Sequence, residues 1–135
     1  MRKLLFVALV LIGHSMARAD NVDLAWKLVI QIESNSGTHP RTYETWKGHN
    51  DLGIAQITPI LVKDVNRILK SEVFTLEMRV NDYLSRLMFE VYCNHYAKGG
   101  SVEKLCRLWH RGPSKKRQCD AYGDRYWNRA RKEIK

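Results

Sequence analysis

The 135-residue sequence is short of several things, and each shortage narrows its reading. No apolar run reaches the roughly 20 residues that cross a bilayer; "LLFVALVLI", residues 4–12, stops well short. No alternating apolar–polar stretch is longer than a few residues, so there is little from which to build strands. No segment repeats. Cysteine is scarce: Cys93, Cys106 and Cys119, all in the last third, allow one disulfide and leave an odd thiol. Spacing does not choose the pair, because "KGGS" lies between the first two and "GPSK" between the last two. A metal set is also wanting. Cys106 and His110 share a helix face at i, i+4, but Cys93 and His95, two apart, do not, so neither metal nor cofactor is expected.

What is present starts with an address. Arg2 and Lys3, the apolar run and "ARA" at residues 17–19 follow the pattern of a cleaved signal peptide, residues 1–19. The mature chain, 20–135, is then one small exported domain with no membrane span, in the periplasm or medium, and is expected to be a monomer. The leader removes Arg2, Lys3 and Arg18 from 23 basic residues, leaving twenty against fourteen acidic ones. That excess suits an anionic partner such as a cell-wall polymer or lipid headgroups, or serves solubility alone. "SKKRQ" and "RYWNRARKEIK" interleave aromatics with cations as nucleic-acid binders do, but export argues against nucleic acid as ligand.

The mature chain reads as helical throughout. Asp20 or Asn21 caps a first helix running to about Ser34. Residues 35–52 turn to Gly, Thr, His, Pro and Asn, a loop long enough to be functional, with room for a small β flap. Thr58 and Pro59 start a second helix with Leu61, Val62, Val65, Ile68 and Leu69 on one face. Thr75 opens a long helix whose Leu76, Val80, Tyr83, Leu84, Leu87, Met88 and Val91 share a face, ended by Gly99 and Gly100. Ser101 caps a helix through about Arg111, which Gly112–Pro113 ends, and a last helix covers residues 122–134.

One side chain breaks the amphipathic rule. On the first helix Asp23, Lys27, Gln31 and Ser34 form the polar side, yet Glu33 falls between Val22 and Trp26, on the apolar arc. The helix's negative end and apolar neighbours both disfavour its ionisation, which suits a general acid working near neutral pH. A structural Glu paired with one of the many cations would occupy the same place. "GIAQITP" (residues 53–59) supplies a permissive glycine and the amide of Gln56. "RLWHRGP" (residues 107–113) supplies Trp109, on the same face as Leu105 and Cys106, and His110 at the helix end.

Taken in order, "IQIES", "GIAQI" and an aromatic–polar pair before "GP" resemble the lysozyme-like lytic transglycosylases of the soluble type. Those enzymes carry Glu-Ser at a helix end, a Gly-Leu-Met-Gln-Ile type of turn, and Tyr-Asn or Trp-Asn before Gly-Pro. The match covers nearly all of the mature chain. It implies an all-α, mostly helical lysozyme-like fold and a cleft for the glycan strands of peptidoglycan. Glu33 would be the catalytic acid, while Ser34, Gln56, Trp109 and His110 would serve the substrate side of the site. Two departures stand out: Ile54 and Ala55 replace the usual Leu-Met, and His110 replaces the usual Asn. An imidazole cannot reproduce the amide's paired donor and acceptor. Glycosidases ordinarily use two carboxylates, and only Asp51 and Glu44 in the loop are candidates for the second. The resemblance implies that the substrate's N-acetyl group substitutes for it, giving a 1,6-anhydromuramoyl end. Attack by water would instead make a lysozyme, and loss of turnover would leave a cell-wall-binding module. A cationic, membrane-disrupting protein is the reading of a different class.

Overall fold

The computed structural model describes residues 19–44 and 50–134, so the leader read from the sequence lies almost wholly outside the described residues. Six α-helices and two short 3-10 segments make up the regular structure there. None of these helices is long and apolar enough to cross a membrane.

Helix α1, Ala19–Ser34, buries Ala25, Leu28 and Val29 and half-buries Trp26 and Ile30. It ends in a reversal through Asn35, Ser36 and Gly37, all with positive φ. The Ser36 amide reaches back to the Ile30 carbonyl at 2.9 Å, closing the helix end. Helix α2, Pro59–Leu69, starts as its sequence requires: the Thr58 hydroxyl accepts from the Leu61 amide and Pro59 takes the first turn, where its missing N–H costs nothing. The third long helix differs from the expectation. Residues 76–96 do not form one helix: a 3-10 segment, Leu76–Val80, precedes α3, Asp82–Tyr96. Asn81 breaks them apart, its side chain accepting from the Leu84 amide at 3.0 Å. Arg79 then turns inward, which leaves Leu76, Val80 and Tyr83 exposed rather than on the core face.

Helix α4, Val102–Arg111, is capped by the Ser101 hydroxyl and stopped at Gly112. A short helix absent from the sequence reading, α5, Lys115–Gln118, precedes α6, Ala121–Ala130, and a 3-10 turn, Arg131–Glu133, replaces the rest of the expected last helix. Asp120 caps α6 by accepting from the Tyr122 and Gly123 amides.

The helices share one apolar cluster in which α4 packs against α1 and α6, while α2 lies on α3. An aromatic chain threads it: Trp26 on Phe89 at 5.3 Å, Phe89 on Trp109 at 5.1 Å, and Trp109 edge-on to Tyr92 at 6.0 Å. All three cysteines are free thiols, so the disulfide that the sequence allows is not formed. Cys119 is exposed; Cys93 and Cys106 are packed in the core, where burial pushes both thiols up, Cys106 to about 12.

Among the described residues no β flap forms between 35 and 52; residues 45–49 lie outside them. Turns replace it, because short polar side chains hold the backbone locally: the Thr38 hydroxyl donates to the Asn35 carbonyl, and the Thr42 hydroxyl to the His39 carbonyl. Among the described residues, the pairing seen next to this region is a two-residue bridge between Leu52 and Ile57, which closes the loop carrying "GIAQ".

Candidate active site

That loop is the hub of the site. Gly53 has φ +84, and a Cβ there would lie 1.8 Å from the Arg79 carbonyl, so the position excludes side chains twice over. The guanidinium of Arg79 donates to the carbonyls of Asn50 at 2.6 Å, Ile57 at 3.0 Å and Leu76 at 2.7 Å, clamping both ends of the loop. Gln56 holds a left-handed backbone, φ 50, uncommon without glycine. Its amide nitrogen donates to the Gly53 carbonyl at 2.9 Å and to that of Thr42 at 3.4 Å, closing the loop on itself and on the preceding turn.

Two helix ends dock on this loop. From α1, the buried Ser34 hydroxyl donates to the Ile54 carbonyl at 2.6 Å and accepts from the Gly37 amide at 2.9 Å. From α4, the Trp109 indole donates to the Ala55 carbonyl at 3.2 Å, with its ring in the aromatic chain. The three sequence motifs therefore meet in space. Ser34 and Trp109 meet the loop through its backbone and are buried; Gln56 is half-buried and His110 exposed.

Glu33 stands where α1 ends, half-buried, lining a cavity of about 370 Å³ with Gln31, Asn35, His39, Arg129, Lys132 and Glu133. Its carboxyl pKa is raised to about 7, first by burial. Tyr126 draws it down, the Asp51 charge pushes it up, and Arg129 draws it down again. Glu33 is thus a carboxyl with both protonation states accessible near neutral pH. Asp51, half-buried, is close enough for its charge to act on both Glu33 and Arg79; Glu44 is exposed, with no such role.

The sequence reading missed Tyr126. Its ring is buried on the core face of α6, and its hydroxyl completes no hydrogen bond of full geometry, although it acts on the Glu33 carboxyl. A buried phenol without a full partner is uncommon, because such a group costs roughly 1–3 kcal/mol. The ring's other neighbour is His110, stacked at 4.3 Å and 10°. Burial, then the charge of Arg111, holds the His110 imidazole below its ordinary pKa, which favours the neutral ring. A signal for Tyr126 was available: a tyrosine among Gly123, Ala130 and Trp127 on an apolar face brings a polar tip that must find a use.

A larger groove of about 780 Å³ lies beyond His110, lined by Trp109, Tyr92 and Leu61, with Asp64, Arg67 and Lys63 among its polar walls. Asp64, Arg67 and Tyr96 form a closed set there, the Tyr96 hydroxyl donating to Asp64 and accepting from Arg67, both at 2.8 Å. Glu33 lines the smaller cavity and His110 the larger, with Tyr126 touching both residues. Among the described residues no group of three or more His, Cys, Asp or Glu side chains could hold a metal ion.

No protein-family model, curated protein or solved structure matches this chain. The site's chemistry stands on its own geometry.

Proposed function

We propose that this chain is an exported peptidoglycan lytic transglycosylase of lysozyme-like fold, with residues 1–19 as its signal peptide and Glu33 as its acid and base. The observation that carries the reading is the Glu33 carboxyl: half-buried at a helix end, facing a cavity, with a pKa near 7. Such a group donates a proton to a glycosidic oxygen and takes one back at the same pH. The order of the "IQIES", "GIAQI" and "WHRGP" motifs supports the substrate class.

The steps follow from that carboxyl. Protonated Glu33 gives its proton to the oxygen between N-acetylmuramic acid and N-acetylglucosamine, and the bond from that oxygen to C1 breaks. The substrate's acetamido oxygen stabilises the positive C1. Glu33, now a carboxylate, is eased by the Tyr126 hydroxyl and the Arg129 charge, both of which favour its ionised form. It then takes the proton of the 6-hydroxyl as O6 bonds to C1, leaving a 1,6-anhydro end and regenerating the acid. The 780 Å³ groove, with its aromatic floor, suits the strand, with His110 on its wall as a proposed polar contact; Gln56, on the loop where the motifs meet, is proposed to serve the substrate from outside that lining.

Asp51 favours a second outcome. Its charge reaches Glu33, so it is placed to orient a water, and hydrolysis would then make the enzyme a lysozyme. Mass analysis of digested peptidoglycan separates the two: anhydro ends are one water lighter than hydrolysed ends. Wild type is expected to give anhydro ends. Glu33→Gln is expected to stay folded and lose activity by about 10²–10⁴-fold. An active variant would remove the assignment.

A further inference from the structure

The two hollows differ in size, and what lines the smaller one says something about the substrate. The groove beyond His110 is large enough for consecutive sugars, but the cavity beside Glu33, about 370 Å³, holds no more than a single substituent or ring. Its walls mix polar and apolar surface and carry two cations, Arg129 and Lys132, with His39 and the amides of Gln31 and Asn35. One carboxylate, Glu133, opposes them.

Several arginines elsewhere in the fold are engaged. Arg67, Arg86, Arg107 and Arg111 each meet a carboxylate, Arg79 holds carbonyls, and Arg125 lies 4.4 Å over the Tyr122 ring. Among the described residues neither Arg129 nor Lys132 has an ion-pair partner, and both face the cavity. They lie three residues apart, on one side of the chain as α6 passes into its closing 3-10 turn, so their charges converge on one small volume. A guanidinium and an ammonium meeting beside a protonated acid form a receptor for a carboxylate.

We propose that Arg129 and Lys132 form a carboxylate subsite beside Glu33, which reads an acidic substituent carried by the glycan strand. The proposal rests on the glycosidase reading and sharpens it: the substrate is an acidic glycan, and a neutral polymer of N-acetylglucosamine lacks the group that this cavity takes. The carboxylate has two chemical sources, the lactyl ether on the sugar itself or the terminal carboxyl of an attached peptide.

Calorimetric titration of the Glu33→Gln protein tests this without turnover and removes any effect of Arg129 on the acid. The probes are chitotetraose, the peptide-free tetrasaccharide of alternating N-acetylglucosamine and N-acetylmuramic acid, and the same tetrasaccharide bearing stem peptides. Adding Arg129→Gln and Lys132→Gln is expected to weaken an acidic probe by about tenfold or more, while chitotetraose binding is unchanged. Loss on the peptide-free probe assigns the lactyl carboxylate; loss confined to the peptide-bearing one assigns the peptide. Equal weakening of all three, or of none, would overturn the subsite while leaving the glycosidase reading in place. Failure of every probe to bind before the two substitutions would remove both.

Discussion

Arg79 and Glu33 are both ionisable side chains drawn away from water, and their surroundings follow opposite plans. Arg79 is buried with donors on three carbonyls, and those bonds fasten Asn50 and Ile57 to the 3-10 segment. Its groups are matched to acceptors, so the residue acts as a clamp. Glu33 has burial without that matching. Its near neighbour Tyr126 completes no bond of full geometry, and burial outweighs the pull of Tyr126 and Arg129 toward the ionised form. A satisfied buried charge fixes a loop. An under-satisfied one keeps a proton in play, and the fold carries its cost.

The comparison breaks most visibly at the clamp. Arg79→Met keeps the bulk but strands carbonyls of Asn50, Ile57 and Leu76, and is expected to cost about 3–5 kcal/mol in urea unfolding. A loss below 1 kcal/mol would mean that water replaces the guanidinium and that the clamp is not needed.

Glu33→Gln is expected to move stability the other way, and only at higher pH. The folded-state pKa of about 7 lies above the ordinary 4.5, so the contribution of the neutral acid is complete below pH 4.5 and lost as pH rises through 7. The amide cannot ionise. The variant should match wild type near pH 4 and exceed it at pH 8 by on the order of 3 kcal/mol. A variant less stable than wild type at pH 8 would make Glu33 a structural ion like Arg79.

Tyr126→Phe is the smallest change in energy and the most selective. Removing a buried hydroxyl without a full partner should leave stability unchanged or raise it by about 1 kcal/mol. Because the phenol lowers the Glu33 pKa, its loss should move the high-pH limb of activity upward. An unmoved limb, measured as kcat/KM against pH, would separate Tyr126 from the acid.

The same contrast explains what the sequence could and could not convey. The caps at Thr58 and Ser101 and the stop at Gly112 were legible because their partners lie within three or four residues. So was the inward placement of Glu33, since helical phase is local. The break at Asn81 was not. Residues 76–91 keep a helical apolar period, and what overrides it is Arg79 reaching carbonyls 22 and 29 residues away. The meeting of Ser34 with Ile54 and of Trp109 with Ala55 was likewise beyond spacing rules, because both bonds end on backbone carbonyls, which have no signature in sequence. Tyr126 left only a faint sign. Its role depends on a carboxyl from the opposite end of the described chain, and on the His110 ring stacked against it.

The central claim is that the Glu33 carboxyl is held in its neutral form up to about pH 7. Titration followed by the carboxyl carbon resonance of isotope-labelled glutamate reads that group directly. The account predicts a midpoint of about 7 for Glu33. A midpoint at or below the ordinary 4.5 would contradict it, placing Glu33 with Arg79 among the fold's structural ions.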